Sequence, residues 1–221
     1  MIKPALNSLV FAPKVGTKSK PRDFVSFQGW AAGFLRYWGL PSSRRIIIDN
    51  TKPSRVMRRQ VIKAVGQAGC NAGTGVVGLF CHGYTTRIQL GFNRATLDDL
   101  ATALYVAYGA DVRVVLYACS TGSGPGPGGD RGFADELRDA LCRAGAVDCR
   151  VIGHRTAGRA DSNPFCVSFD GNGSKVGGKG GYPLVDRKDP LWSRWVKELR
   201  KDLRWKIGTM SMEEIHRELT G

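Results

Sequence analysis

The sequence predicts an α/β fold: an open, mostly parallel sheet with helices on both faces. Two observations carry this. Short apolar runs at Ile46–Ile48, Val76–Gly83, Val114–Tyr117 and Arg150–Gly153 lack the in–out alternation of a half-exposed sheet, so they read as buried strands. Between each pair of runs lies a stretch with apolar residues at helical spacing, giving the order β-α-β-α-β-α-β. At 221 residues the chain has room for one sizeable domain with appendages.

Residues 1–44 divide into a basic arm and an aromatic covering segment. The first 25 hold Lys3, Lys14, Lys18, Lys20 and Arg22 among three prolines, with few apolar residues, the composition of an arm that waits for a partner. Phe24–Leu40, with two Trp, three Phe and Tyr37, is expected to form a short helix over a sheet edge or face, its aromatics packed into the core.

Residues 45–170 are expected to form the α/β domain proper. Ile46–Ile48 ends at Asp49 and Asn50. Pro53 and Ser54 open a helix whose Met57, Val61, Ala64, Val65 and Ala68 share one face, and Gly69 ends it. Arg55, Arg58, Arg59 and Lys63 take the other face. Thr85–Phe92 reads as extended, and Thr96–Tyr108 as a helix with Leu97, Leu100 and Leu104 inward. The loop GSGPGPGGD after the third run is expected to be a mobile flap. Helix Phe133–Ala144 buries Phe133, Leu137, Ala140 and Leu141, and Phe165–Phe169 adds a last strand. Residues 171–221 are expected to comprise a Gly-rich loop and a basic helix, Trp192–Ile207, packed on the same domain.

The formal net charge is +14, which suits an acidic partner such as nucleic acid, an anionic membrane surface or acidic protein segments, but serves solubility equally well. No uncharged stretch is apolar enough to span a bilayer, and the N-terminus lacks a signal-peptide pattern. The six cysteines at 70, 81, 119, 142, 149 and 166 include no CxxC pair, which argues against structural zinc and for free thiols in a reducing, cytoplasmic compartment. No cofactor and no metal are implied.

The chemistry concentrates at the ends of two runs. VVGLFCHG stops at His82 and Gly83; VVLYACSTG stops at Cys119. Sites of open α/β sheets form outside the carboxyl ends of the strands, so both side chains are expected on one rim. A catalytic thiol needs a base, and His serves near neutral pH. The amides of Gly83 and Cys119 are placed to hold a developing oxyanion. A lone Cys or His at such a place is more often structural. The pair, each on its own strand end, favours function.

An apolar block ending in His-Gly followed by one ending in Ala-Cys resembles the caspase-like cysteine peptidases of clan CD, over about Ile46 to Phe169. The segment Ser120–Gly122 after the cysteine is nearest to the bacterial CHAT-type members. The resemblance implies a caspase-like sheet, endopeptidase activity on a protein substrate, and a His82/Cys119 dyad with Gly83 and Cys119 in the oxyanion hole. Tyr117 stands where metacaspases place an acidic residue, so their specificity does not carry over. By the same resemblance Asp49, at the end of the first strand, would favour Lys or Arg before the cleaved bond; it equally suits a helix cap. His154, in GHRTAG, and Ser120 are the other residues expected to line the substrate groove. His154 stands as an alternative base or as a loop residue without a role.

Two further readings concern phosphate. Cys81 and Arg87 have the C-x5-R spacing of Cys-dependent phosphatases, but such a loop runs into a helix, whereas RIQLGF reads as extended. The GSGPGPGGDRG loop lacks the Lys-Ser/Thr ending of nucleotide cradles. The basic stretches 44–63 and 187–206 support a different class: a non-catalytic scaffold binding nucleic acid or an acidic partner, with a salt-sensitive affinity. His216 reads as solvated.

Overall fold

The computed structural model describes residues 7–68, 75–157 and 166–171. Six strands form one sheet: β1 (Leu9–Pro13), β2 (Arg45–Ile48), β3 (Val76–Phe80), β4 (Arg113–Tyr117), β5 (Arg150–His154) and β6 (Cys166–Asp170). The order across the sheet is β2-β1-β3-β4-β5-β6. All neighbours are parallel except β5 and β6, which pair antiparallel. Four α-helices connect them: α1 (Asp23–Trp38), α2 (Ser54–Gln67), α3 (Leu97–Tyr108) and α4 (Phe133–Ala144).

The predicted α/β class is therefore the observed one, and its physical basis is two-sided burial. On one face Phe27, Ala31, Phe34 and Leu35 of α1 cover Val10, Ala12, Val76, Phe80, Val115 and Tyr117. On the other face α2, α3 and α4 pack Met57, Val61, Leu100, Leu104, Leu137 and Leu141 against Phe11, Val77, Leu79, Val114 and Leu116. Successive residues of each inner strand thus point into opposite apolar layers, which is why these strands read as unbroken apolar runs. The aromatic segment is a helix covering one face, as its composition led one to expect.

The N-terminal region differs from the expected arm. Leu9–Pro13 is buried at all five positions and lies inside the sheet, paired on one side with β2 and on the other with β3. Its start is anchored by buried hydrogen bonds: Tyr108 Oη donates to the Asn7 carbonyl at 3.0 Å, and the Val76 N–H donates to Ser8 Oγ at 3.0 Å. Pro13 falls at the last position of the strand and brings no N–H to the ladder.

This central strand sets the topology. From β1 the chain crosses outward to β2, then returns past β1 to β3 and continues the other way. The connections therefore reverse between β1 and β3, and it is at the carboxyl ends of such a pair that open α/β sheets generally form their sites. One loop also differs from expectation. Thr85–Phe92 is not a strand but a compact turn closed by isolated bridges, Gly83 to Ile88 and Arg87 to Asn93. The Gly-rich loop after β4 carries internal hydrogen bonds: Ser123 N–H donates to the Ser120 carbonyl, Gly126 N–H to the Asp130 carbonyl, and Gly132 N–H to the Gly129 carbonyl. Cys70, most of the Gly-rich tract 171–181, the stretch 187–206 with the helix expected at Trp192–Ile207, and His216 lie outside the described residues. Among the described residues no helix is long and apolar enough to cross a membrane.

Candidate active site at the carboxyl edge of the sheet

β3 and β4 pair in register from Val76 with Arg113 to Phe80 with Tyr117. The Cys81 N–H still reaches the Tyr117 carbonyl, at 3.4 Å, before the strands part. His82 follows Phe80 by two residues and Cys119 follows Tyr117 by two, so the register carries both to the same level. Beneath them the Phe80 and Tyr117 rings stack at 4.1 Å with planes 7° apart. Gly83 lies directly on the backbone of the cysteine segment. A Cβ there would sit 2.5 Å from the Cys119 carbonyl oxygen and 2.7 Å from Ala118 Cβ, so only glycine permits this approach. Gly83 N–H has no hydrogen-bond acceptor among the described residues.

The imidazole of His82 is held from α1. Its Nε2 stands 3.1 Å from Asp23 Oδ2, a short contact outside the direction of an aligned hydrogen bond, and is itself shielded from solvent. Phe27, one helical turn after Asp23, meets the imidazole edge-on, with ring centroids 5.0 Å apart. From below, Gln89 Oε1 accepts the His82 backbone N–H at 3.2 Å. Burial is the largest influence on His82 and lowers its pKa; the Asp23 carboxylate pulls the other way, and Lys20 adds to the lowering.

Cys119 is half-buried and opens a tightly fixed turn. Thr121 Oγ1 donates to the Ala118 carbonyl at 2.8 Å, and Gly122 N–H donates to the His154 carbonyl at 2.9 Å. Between them Ser120 holds a left-handed φ of 59° while its N–H donates to the Thr156 carbonyl at 3.2 Å. That conformation costs a non-glycine residue about 1 kcal/mol and persists because the hydrogen bonds on both sides fix it. Further along, Arg131 at φ 61° gives its N–H to Asp135 Oδ2 at 2.8 Å. Asp135 is paired in turn with Arg138, and both side chains are 4% exposed. Thus a buried ion pair in α4 secures the far end of the loop that begins at Cys119.

The remaining sequence-predicted residues divide. His154 pairs with the level of Tyr117 and lies 6.2 Å from that ring, but it is only 3% exposed. Burial pushes its pKa down to about 4, so it is neutral at physiological pH. Asp49 is not brought near the pair. It ends β2, the edge strand, with β1 between it and β3. There it accepts from Thr51 Oγ1 at 2.6 Å and lies 3.7 Å from Lys14 Nζ. Thr51 is also the main reason that its carboxyl pKa is lowered. Cys81 is 1% exposed, and burial pushes its thiol up to about 12, so it is no nucleophile for phosphate chemistry. Among the described residues no group of three His, Cys, Asp or Glu side chains is arranged to hold a metal ion.

No family model matches the chain, and no curated protein matches it. The site therefore stands on its own geometry. Sequence reasoning missed Asp23 and Phe27 as partners of His82. A signal was present, for Asp23 is the only acidic residue before Asp49, set directly after a run of basic residues.

Proposed function

We propose that the protein is a caspase-like cysteine endopeptidase acting on a protein or peptide substrate through His82 and Cys119. In this reading Cys119 Sγ attacks the scissile carbonyl while His82 takes the thiol proton, and the proton then passes to the leaving amine. Water, deprotonated by His82, hydrolyses the resulting thioester and regenerates the thiol. The Gly83 and Cys119 amides hold the oxyanion formed in each half.

The observation that carries the reading is the unbroken β3–β4 register, with Phe80 opposite Tyr117, which ends in a histidine on one strand and a cysteine on the other. The unpartnered Gly83 N–H and its close packing on Cys119 support the oxyanion role. The test is cleavage of a mixed peptide library by the wild type, Cys119→Ala and Cys81→Ala. Cleavage lost only in Cys119→Ala supports the reading and reveals the residue preferred before the cut. Cleavage by none, or loss only in Cys81→Ala, overturns it.

A second reading has its own observation. Helix α2 contains no carboxylate, and Arg55, Arg59 and Lys63 repeat at every fourth position, all exposed. In that reading the fold is a scaffold that binds a polyanion along this stripe. Binding of single- or double-stranded nucleic acid that weakens steeply with salt, and is lost on charge reversal of the three residues, would support it. No salt-dependent binding would exclude it.

A further inference from the structure

We infer that Asp23 is a positioning residue for His82, fixing which imidazole nitrogen faces the thiol. The inference rests on the dyad proposed above and extends it to a third residue from another element.

The connections reverse between β1 and β3, and the segment after β1 meets the segment after β3 at the carboxyl ends of that pair. Asp23 opens α1 on the first side, and His82 ends the run on the second. Their contact of 3.1 Å joins Asp23 Oδ2 to Nε2 in particular. Because that nitrogen is closed off from solvent, the carboxylate is the charged group that faces it. Nε2 is then the nitrogen that carries the proton in the neutral ring, which leaves Nδ1 as the base for a thiol. A histidine whose second nitrogen is held by a carboxylate has one tautomer and one ring orientation, the role an acid plays in a triad. Phe27 completes the clamp from one turn further along α1. The contact is short but not yet aligned, as catalytic hydrogen bonds often are before substrate arrives.

The charged groups around the ring are Asp23 and Lys20 on the α1 side, with the Cys119 thiol at the end of the neighbouring strand. Asp23 favours the protonated ring, whereas Lys20 and burial oppose it. Removing the carboxylate therefore shifts His82 further towards the neutral form. An opposite charge at this range changes a protonation equilibrium by about tenfold or more.

The experiment needs no substrate. Alkylation of Cys119 by iodoacetamide is followed from pH 5 to pH 10 on the full chain, with the Cys119 peptide quantified by mass spectrometry. Wild type, Asp23→Asn, Asp23→Glu and His82→Ala are compared. The expected result is an about tenfold slower reaction near pH 6 in Asp23→Asn, rates that converge above pH 9, and partial recovery in Asp23→Glu. An Asp23→Asn profile that overlays the wild type overturns the inference while the dyad stands. A profile unchanged by His82→Ala overturns the dyad and the inference with it. Imidazole nitrogen shifts of the unmodified protein give a reading independent of any variant's folding. The Nε2–H tautomer of His82 is expected, and the Nδ1–H tautomer would refute the assignment.

Discussion

Acid should unfold this protein through His154. The side chain is 3% exposed, beside the Tyr117 ring, and its carbonyl receives the Gly122 N–H of the cysteine loop. Burial lowers its pKa to about 4, from 6.5 for the exposed side chain of the unfolded chain. Between those values the unfolded state binds the proton and the folded state does not. The stability contribution of this histidine is therefore complete above pH 6.5 and lost as pH falls through 4. At about 1.4 kcal/mol per pH unit, the loss amounts to about 2 kcal/mol at pH 5 and about 3 kcal/mol at pH 4. With a urea dependence of about 2 kcal/mol per molar, the midpoint at pH 5 falls by about 1 M relative to pH 7. The assay is urea unfolding followed by circular dichroism at half-unit pH steps, for wild type beside His154→Gln. Carboxylates titrate in both proteins, so the difference between the two profiles isolates the histidine. Profiles that run parallel from pH 7 to pH 5 would refute the reasoning.

Other perturbations follow from the same contacts. Gly83→Ala drives a methyl group into the Cys119 carbonyl and Ala118, and is expected to cost about 1–3 kcal/mol of stability in denaturant and to slow Cys119 alkylation at least tenfold. Arg138→Met leaves Asp135 buried without its cation, with an expected loss of about 3–5 kcal/mol; adding Asp135→Asn should restore part of it in the same unfolding assay. Cys81→Ala should leave thiol labelling of the native protein unchanged, because that sulfur is buried and protonated. Labelling of Cys81 before Cys119 in the native state would contradict the described burial.

Much of the fold was legible because most elements obey one local rule throughout. Helix Phe133–Ala144 has the bounds its apolar stripe predicts, with Gly145 ending it at a φ of 107°. The runs at β3, β4 and β5 are apolar on both sides because two helical layers bury them. Strand β1 was not legible for the opposite reason. Leu9–Pro13 is a short apolar island between basic segments, ending in proline, and nothing local distinguishes it from an ordered stretch of an arm. Only the pairing with β2 and β3 makes it the centre of the sheet's first half.

That omission displaced the reading of the site. With Ile46–Ile48 counted as the first strand, Asp49 reads as a residue favouring Lys or Arg before the cleaved bond or as a helix cap; β1 lies between β2 and β3 and puts Asp49 at the edge. The same insertion brings α1, and with it Asp23, over His82. Sequence spacing locates residues on their own element, so His82 and Cys119 could be read from the ends of their strands. A partner approaching from a different helix has no spacing to betray it. Its one trace was a solitary carboxylate in a basic stretch.

The most direct test of the central claim is covalent labelling by a peptidyl acyloxymethyl ketone, read by intact mass and by mapping of the modified peptide. The account predicts one adduct per chain, on Cys119, absent in Cys119→Ala and formed about a hundredfold more slowly in His82→Ala. An adduct on another cysteine, a rate indifferent to His82, or no labelling at all would contradict it.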